Sequence, residues 1–306
     1  MNTDSACSTG NKQPAMSVII PAHNEAAVMA RCLSSLLAGA EPGELEILVV
    51  CNGCNDNTAE IARSFGPAVR VLESAIPSKT AALNLGDSNA RAFPRVYLDA
   101  DIVVTIDTLR KTAAVLRMGT YLAAAPPVAW NLSSSNVWVK AFYSIWRLQP
   151  YFDTGRLGAG FYAVNEAGHA RLGKFPDITA DDEFVRRSFS NAERATVHGC
   201  SFSVTPPRNL RSLIRIKTRS RRGNMELVQR FPNMSRPCSE SRMKFLGRIL
   251  ARPLLWPAVP VYFAVVILTS WHANRTLHRQ TKPAWERDLS SRILTNGNSK
   301  IEASRG

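Results

Sequence analysis

The sequence predicts an α/β fold in which a mostly parallel, Rossmann-like sheet carries helices on both faces. From Met16 onward, short apolar runs alternate with segments whose apolar residues recur at helical spacing. Strands that alternate with helices form βαβ units, and these build a parallel sheet covered on both sides. The chain has 306 residues, 45% of them hydrophobic, which is enough for one large domain with its own core and an appendage.

The predicted elements follow one another in a regular order. Continuous apolar runs predict strands at residues 17–20, 46–50, 69–72, 96–99 and 121–125. Helical spacing predicts helices at about residues 24–37, 78–90 and 107–117, with a further helix after the second strand. Asn24 is positioned to cap the first of these helices, and Asn57 and Glu60 have the spacing of a capping box.

One predicted strand ends in two carboxylates, Asp99 and Asp101, separated by a single small residue. Side chains two apart in a strand share a face, so both carboxylates can converge at the carboxyl end of the strand. Paired hard oxygens suit Mg²⁺ or Mn²⁺ held against the phosphates of a substrate. Such a pair also occurs by chance about once in a chain of this length, here as a solvated loop before a helix that Asp107 caps.

Other polar residues fall at the carboxyl ends of neighbouring predicted strands. Glu25 follows the first strand, and Asn52 and Asp56 follow the second. Ligands of open α/β sheets bind outside the carboxyl ends of the strands. This shared placement favours a ligand site that includes the two aspartates over a chance pair.

A glycine-rich turn, Gly158-Ala159-Gly160, precedes an apolar run at residues 161–164. Residues 158–163 match the dinucleotide-binding pattern G-x-G-x-x-A. That pattern requires a strand before it and a helix opening at its third position, whereas here a strand is predicted after the glycines. We therefore expect Gly158 and Gly160 to admit a substrate close to the backbone.

Three consecutive carboxylates, Asp181, Asp182 and Glu183, begin a predicted helix. Acidic side chains in the first turn are favourable at the positive end of the helix dipole. Alternatively, crowding of like charges raises the pKa of at least one carboxyl group, which suits a general base. The residues alone leave both interpretations open.

Residues 137–146 predict an aromatic-rich helix, which either packs in the core or faces an apolar acceptor or a membrane interface. The six cysteines are scattered and the N-terminus lacks the apolar core of a signal peptide, which favours a reducing cytoplasm. Cys51 and Cys54 have the C-x-x-C spacing of a dithiol redox motif. Nothing nearby supports redox chemistry, and no second ligand pair indicates zinc.

Six motifs occur in a recognisable order between residues 16 and 205. They are SVIIPAHNE, ILVVCNGCNDNTAEIA, SKTAALNLG, VYLDAD, GAGFYAV and ADDEFVRR. In this order and at these separations they resemble the inverting family 2 glycosyltransferases of GT-A fold. The resemblance implies a nucleotide-sugar donor at the carboxyl edge of the sheet and a metal-dependent transfer with inversion.

The resemblance also implies roles for individual residues. Donor-binding roles fall to Pro21, Ala22, His23, Glu25, Asn52, Lys79 and Asp99. Asp101 would bind the divalent metal, with Asp99 on the metal or the ribose. Asp182 would be the base that takes the proton of the acceptor hydroxyl. We expect the acceptor to lie against Gly158, Gly160 and Asp181.

The chain departs from the family pattern in three places. After the second strand, Cys51, Asn52 and Cys54 replace two aspartates and a serine, so a uridine nucleotide does not follow from the resemblance. His23 stands where a tyrosine is usual. The Q-x-x-R-W motif of the processive members is missing, which favours a single-addition transferase. Three arginines could bind the diphosphate instead: Arg219, Arg221 and Arg222. A basic helix that faces the membrane explains these arginines equally well.

The net positive charge is concentrated in the last third of the chain. Residues 1–207 contain 18 basic and 19 acidic residues, whereas residues 208–306 contain 20 and 5. A basic surface of this kind suits an anionic partner such as phospholipid. Nucleic acid is not expected, because no aromatic residues are interleaved with the charges as in a strand-binding groove.

An uncharged apolar segment at residues 253–271 follows the basic stretch at residues 208–252. Its 19 residues are borderline for a membrane span of about 20, and its prolines disturb a regular helix near the start. The heavier basic charge before the segment favours a catalytic domain on the cytoplasmic face of the cell membrane. We expect membrane association, either as a tilted span or as a helix that dips into one leaflet.

The predicted organisation has a disordered tail at residues 1–15, a GT-A domain at 16–207, the basic and apolar regions, and a basic tail at 272–306. The predicted function is sugar transfer to a lipid-linked or envelope-glycan acceptor. One alternative is a non-catalytic nucleotide-sugar-binding subunit of a membrane complex. Another is a sugar nucleotidyltransferase, although residues 21–25 lack the phosphate loop that it needs.

Overall fold

The computed structural model describes residues 13–153, 157–234 and 241–277. The strands in these residues are β1 (Met16–Ala22), β2 (Leu45–Asn52), β3 (Val69–Ser74), β4 (Arg95–Leu98), β5 (Ala123–Ala125), β6 (Val128–Trp130), β7 (Phe161–Val164), β8 (Arg194–Thr196) and β9 (Phe202–Val204). The first helices are α1 (Ala26–Leu37), α2 (Thr58–Arg63), α3 (Lys79–Asn89), α4 (Ile106–Arg117) and α5 (Val137–Trp146). The later ones are α6 (Glu166–Leu172), α7 (Asp181–Ser188), α8 (Leu210–Arg230), α9 (Ser241–Leu250) and α10 (Val259–Leu277).

A seven-stranded sheet with the order β3-β2-β1-β4-β7-β5-β8 organises the described part of the chain, and β6 pairs with β9 beside it. Strands β1 to β4 run parallel, with Ile19 of β1 aligned to Leu48 of β2 and to Tyr97 of β4. Strand β7 is antiparallel to both of its neighbours. The mostly parallel α/β sheet is therefore confirmed, and the direction of β7 is the feature that the sequence pattern did not predict.

Strands β1 and β2 are buried along their whole length, as strands covered on both faces must be. The buried Ser17 and Glu46 of these strands are paired with each other: the Ser17 hydroxyl donates to Glu46 Oε2 at 2.6 Å, and the Arg91 amide donates to the same oxygen at 2.7 Å. Helix α3 lies close over β1 at Gly86, where an added Cβ would approach Ile19 Cγ2 to 2.6 Å. This close packing fixes the start of α3 near the carboxyl edge of the sheet.

Two predicted caps at this edge are wrong. Asn24 has a left-handed backbone with φ of 52° and does not cap α1; its side chain accepts a hydrogen bond from the Asn55 amide at 2.5 Å. Asn57 makes no side-chain cap, and Asp56 accepts from the Thr58 amide at 3.1 Å instead. Asp56 thus joins the two loops, because its carboxylate accepts from the first amides of both helices, Ala26 of α1 and Thr58 of α2.

The helix after the aspartate pair begins one residue earlier than predicted. Helix α4 starts at Ile106, and the Thr105 hydroxyl accepts from the Thr108 amide at 3.4 Å. Threonine therefore occupies the cap position, and Asp107 lies in the first turn, where it pairs with Lys111. The interpretation of Asp107 as the cap is wrong for this reason.

A second hydrophobic cluster lies outside the sheet and is built by α5, α8, α9 and α10. Phe142, Tyr143 and Ile145 of α5 are buried in this cluster together with Tyr262 and Val265 of α10. The core-packing interpretation of the aromatic helix is therefore confirmed. The predicted apolar segment divides into a 3-10 helix, Pro253–Ala258, and α10, with prolines at the disturbed start.

By length and composition, residues Pro253–Arg275 form the one candidate membrane span in the described part of the chain. In the apolar stretch of 18 residues within this segment, 17% of the residues are buried against the rest of the protein. The five predicted regions of the chain stay predictions. The predicted tails lie almost entirely outside the described residues.

Candidate active site

The loops that follow β1 and β2 meet at the carboxyl edge of the sheet. His23 Nδ1 lies 2.6 Å from the carbonyl oxygen of Asn52, and the Glu25 amide donates to the Thr58 hydroxyl at 2.7 Å. The Asn52 side chain is fully buried, and neither its amide oxygen nor its amide nitrogen has a hydrogen-bond partner. Buried polar groups without partners carry a free-energy cost of about 1–3 kcal/mol, so an unpaired amide at a sheet edge indicates a place for a ligand.

Cys51 and Cys54 support the same two loops. Both cysteines are free, and Cys54 Sγ accepts a hydrogen bond from the Asn24 amide at 3.3 Å. A hydrogen bond from the Cys51 thiol lowers the pKa of Cys54 to about 6. The pair thus helps to hold the loop that connects β1 to α1.

A lysine joins the aspartate pair to the acidic motif. Lys79, at the start of α3, places Nζ 2.8 Å from Asp99 Oδ1 and 3.0 Å from Asp181 Oδ2. The Tyr162 hydroxyl of β7 also donates to Asp181 Oδ2, at 3.3 Å. Burial disfavours the charge of Lys79, but Asp181 and Asp99 outweigh this effect and raise its pKa well above the usual value. The ammonium group therefore stays charged between two carboxylates from distant parts of the chain.

Asp99 and Asp101 lie in a turn and not on one face of a strand. Strand β4 ends at Leu98, and the Ile102 amide donates to the Asp99 carbonyl oxygen at 3.1 Å. The expectation that strand geometry brings the two carboxylates together is therefore wrong, because the strand ends one residue too early. The Asp99 amide donates to the carbonyl oxygen of Gly160 at 2.8 Å, which ties this turn to the glycine turn.

Metal binding at this turn has two candidate protein ligands, Asp99 and Asp101. In residues 13–153, 157–234 and 241–277, no group of three or more His, Cys, Asp or Glu side chains is arranged to hold a metal ion. Mg²⁺ is commonly held by only one or two carboxylates together with the phosphates of a substrate. The donor set therefore fits a metal that binds together with a diphosphate.

The two predicted glycines clear space for two of the carboxylates. Gly158 has φ of 116°, and an added Cβ would lie 2.8 Å from Asp182 Oδ2. Gly160 has φ of 89°, and its Cβ would lie 3.1 Å from Asp99 Oδ2. Strand β7 follows the turn directly, so the exclusion of a dinucleotide fingerprint is confirmed. The turn therefore lies between the aspartate pair and the acidic motif.

The three carboxylates of the acidic motif differ in their surroundings. Glu183 forms ion pairs with Arg186 and Arg187 of the same helix; although burial opposes this, the two arginines hold its pKa below the usual value. Asp182 accepts a hydrogen bond from the Glu183 amide at 2.8 Å and forms no ion pair with a described residue. Burial and the neighbouring Asp181 raise the pKa of Asp182 to about 6. Asp182 therefore has the properties of a general base that works near neutral pH.

The three predicted arginines lie on different sides of α8. Gly223 packs α8 against the residues just before α7, since its Cβ would lie 3.1 Å from Thr179 and 3.2 Å from Ala180. Helical spacing puts Arg219 on the same side as Gly223 and Arg221 on the opposite side, with Arg222 between them. Burial raises the pKa of Tyr262 in α10, and Arg221 opposes part of this shift. Arg219 is therefore the member that faces the acidic motif.

A cavity of about 360 Å³ adjoins the glycine turn. Gly158 forms part of its wall, and most of the remaining lining is aromatic, proline or aliphatic. Arg147 is the only formally charged side chain in the lining, and it is exposed. The aromatic side chains of the lining are Trp130, Tyr143, Phe152 and Phe202.

The cavity is absent from the sequence interpretation because its wall combines β6, α5 and β9. Gly158 is the only residue of the cavity lining that belongs to one of the six motifs. The bridge from Lys79 to Asp181 was also missed, although both residues were predicted near the substrates. The alternation of side chains in β7, which turns Tyr162 toward Asp181, is a signal that could have indicated it.

Residues 17–178 match the family model described as Glycosyl transferase family 2. The chain is 39% identical over 93 residues to Glycosyltransferase AglE of Haloferax volcanii. This match covers 29% of the chain and 31% of AglE, so the chain spans about a third of the length of this curated relative.

Two solved structures share the fold. Mannosyltransferase PcManGT from Pyrobaculum calidifontis, in complex with GDP-Man and Mn²⁺, matches with a TM-score of 0.57 and 18% identity over 87% of this chain and 79% of that one. Glucosyl-3-phosphoglycerate synthase from Mycobacterium tuberculosis, in complex with phosphoglyceric acid, matches with a TM-score of 0.52 and 19% identity over 74% and 82%. The architecture is therefore that of GT-A glycosyltransferases.

Proposed function

We propose, because the chain belongs to glycosyl transferase family 2, that it transfers a sugar from a nucleoside diphosphate donor to an acceptor hydroxyl with inversion. The observation that carries the proposal is the bridge that Lys79 forms between Asp99 and Asp181. This bridge joins the carboxyl edge of the sheet to the motif that contains Asp182. Residues suited to the donor and a residue suited to the acceptor therefore surround one lysine.

The donor is proposed to bind across the loops after β1 and β2. Pro21 and Ala22 end β1, His23 and Glu25 lie in the loop that follows, and Asn52, with its unpaired amide, ends β2 beside His23. An amide offers one donor group and one acceptor group to the edge of a base, whereas a carboxylate only accepts. GDP-mannose, the ligand in the PcManGT structure, and uridine nucleotides are accordingly the first donors to compare.

A divalent metal, Mn²⁺ or Mg²⁺, is proposed to bind with the donor at Asp101 and Asp99. When bound, it would neutralise charge on the diphosphate as the glycosidic bond breaks. Lys79 contributes a second positive charge at the same place and keeps Asp99 oriented. Arg219 of α8 is proposed to contact the diphosphate, with Arg222 nearer to it than Arg221.

Asp182 is proposed to act as the base. The oxygen of the acceptor hydroxyl forms a bond to the anomeric carbon, the bond from that carbon to the diphosphate breaks, and the hydroxyl proton passes to Asp182. Attack from the face opposite the leaving group inverts the configuration. A carboxyl group with a pKa of about 6 is ionised at neutral pH, yet is basic enough to accept this proton.

The acceptor is proposed to approach over Gly158, Gly160 and Asp181. The adjoining cavity is mostly apolar and has the exposed Arg147 in its wall. That lining suits an acceptor with an apolar group and an anionic group, such as a lipid-linked glycan, which an enzyme on the cytoplasmic face of the membrane would meet. Trp130→Ala is expected to raise the KM for such an acceptor about tenfold and to leave the KM for the donor unchanged.

The test is transfer from a panel of nucleotide sugars, with Mn²⁺, with Mg²⁺ and with chelator. We expect one donor to support hydrolysis or transfer that chelator abolishes, and we expect the same donor with metal to raise the melting temperature. Absence of binding, hydrolysis and transfer across the panel would contradict the proposal. Donor binding without turnover, unchanged in Asp182→Asn, would instead favour a non-catalytic nucleotide-sugar-binding subunit.

A further inference from the structure

We propose that α9, the 3-10 helix at Pro253–Ala258 and α10 form a membrane-docking surface that lies in the plane of one bilayer interface and does not span the membrane. The proposal specifies the membrane association expected above and therefore rests on it. The partner that this docking surface binds is a phospholipid bilayer with anionic headgroups. The inference depends on which sides of these helices are packed and which are exposed.

Helix α10 is packed on one side only. Tyr262, Val265, Thr269 and Ala273 are buried, and they recur at intervals of three or four residues. This side faces the second hydrophobic cluster, where the Gln149 amide donates to the Tyr262 hydroxyl at 2.7 Å. From Tyr262 to Ala273, about 17 Å of the helix is seated on the domain.

The opposite side of α10 is apolar and exposed. Phe263, Ile267 and Trp271 are 45%, 65% and 46% exposed, and they follow one another at four-residue intervals. No charged residue occurs between Val259 and Trp271. Arg275 Cζ lies 3.7 Å from the ring centroid of Trp271, so the basic group stands at the end of the apolar face. Tryptophan beside arginine is typical of the boundary between headgroups and acyl chains.

Helix α9 and the 3-10 helix extend the exposed apolar surface. In α9, Met243, Leu246 and Leu250 are 76%, 49% and 60% exposed, and Leu254 follows at 94%. The other side of α9 packs on the same cluster through Ile249, so its exposed side faces away from the domain, as that of α10 does. Residues 241–277 contain five basic residues and no acidic residue. This charge complements anionic headgroups.

A span is disfavoured by the neighbours of α10. Helix α8 packs along α10 and contains seven basic residues. If α10 crossed the hydrocarbon core, which is about 30 Å thick, part of α8 would enter it as well. Each arginine or lysine near the centre costs about 2.5–3.5 kcal/mol on insertion scales. An orientation in the interface plane buries the apolar side of α10 and keeps α8 in water.

The experiment measures the depth of three positions in vesicles that contain an anionic phospholipid. Three variants of the full chain, Phe263→Cys, Ile267→Cys and Trp271→Cys, each add one cysteine that carries a nitroxide. The unsubstituted chain, labelled in parallel, gives the background of the six native cysteines. In the interface plane we expect equal, shallow depths of about 5–10 Å. A spanning helix would instead give depths that differ by about 6 Å from one position to the next, and this would overturn the proposal.

Co-sedimentation with vesicles provides a second readout. Ile267→Glu is expected to lower the binding constant about tenfold, which corresponds to about 1.4 kcal/mol. Met118→Glu replaces an exposed apolar side chain at the end of α4, outside the proposed surface, with the same charge and is expected to have a smaller effect. Equal binding of both variants would overturn the proposal. A dimer without vesicles that Ile267→Glu dissociates would also overturn it, in favour of a second copy as occupant. Donor binding, measured in both variants, separates these outcomes from failure of the proposed catalytic function.

Discussion

The carboxyl edge of the sheet and the C-terminal helices are two regions with opposite relations to water. At the sheet edge, carboxylates and a lysine are drawn out of solvent and paired with one another. In α9 and α10, large apolar side chains are exposed to solvent. Each arrangement costs free energy in the isolated chain. Buried charges lose their hydration, and exposed apolar side chains stay in unfavourable contact with water. The difference fits the two proposed ligands, a nucleoside diphosphate that binds together with a metal ion and the surface of a membrane.

The largest expected effect is at the base. Asp182→Asn keeps the size of the side chain but cannot accept the hydroxyl proton, so we expect kcat to fall about a thousandfold. The KM for the donor, or its dissociation constant measured by calorimetry, should change little. Turnover close to that of the original chain would mean that Asp182 is not the base.

The next effect concerns the bridge at Lys79. Lys79→Met removes the positive charge between Asp99 and Asp181 and is expected to lower kcat/KM about a hundredfold. Burial and Asp181 raise the pKa of Asp182, and Lys79 opposes them. The variant should therefore shift the ascending limb of the pH–rate profile to higher pH. An unshifted limb would show that Lys79 does not act on the base.

The arginines of α8 offer a matched pair. Arg219→Ala is expected to raise the KM for the donor about tenfold, because a charge-assisted contact with the diphosphate is lost. Arg221→Ala removes the same group from the opposite side of the helix and should leave the KM nearly unchanged. Steady-state kinetics with varied donor compares the two, and the reverse ranking would remove α8 from the donor site.

The smallest effect is on stability. The folded-state pKa of Asp182 is raised to about 6, so its contribution to stability is present at low pH and is lost as pH rises to that value. Asp182→Asn does not titrate, and at neutral pH it should melt about 3 °C above the original chain. Thermal melts across pH should show this gap closing as the pH falls below about 4. A difference in melting temperature that does not depend on pH would mean that the titration of Asp182 is not its cause.

The sequence predicts much of the sheet edge because its signals are local. Apolar runs gave β1 and β2, and the order of six motifs gave the GT-A architecture that the comparisons confirm. The predicted roles of individual site residues stay predictions. Caps were less predictable, because the Asn24 side chain bonds to the other loop, whereas Asp56 accepts from the first amides of both α1 and α2.

Contacts between distant segments account for what the sequence did not indicate. The antiparallel course of β7 places the Tyr162 hydroxyl against Asp181, and the cavity wall assembles from four separated segments. The face of α10 that is packed depends on where α5 and α8 lie. Composition alone therefore left open whether the helix spans the membrane or lies in its interface.

The most direct test of the catalytic account is the pH dependence of kcat/KM from about pH 5 to 8, measured with the donor that the panel identifies. The account predicts an ascending limb with a midpoint near 6, which is the pKa of Asp182, and loss of this limb from the residual activity of Asp182→Asn. A profile that is flat over this range, or a limb that persists in Asp182→Asn, would contradict the assignment of Asp182 as the base.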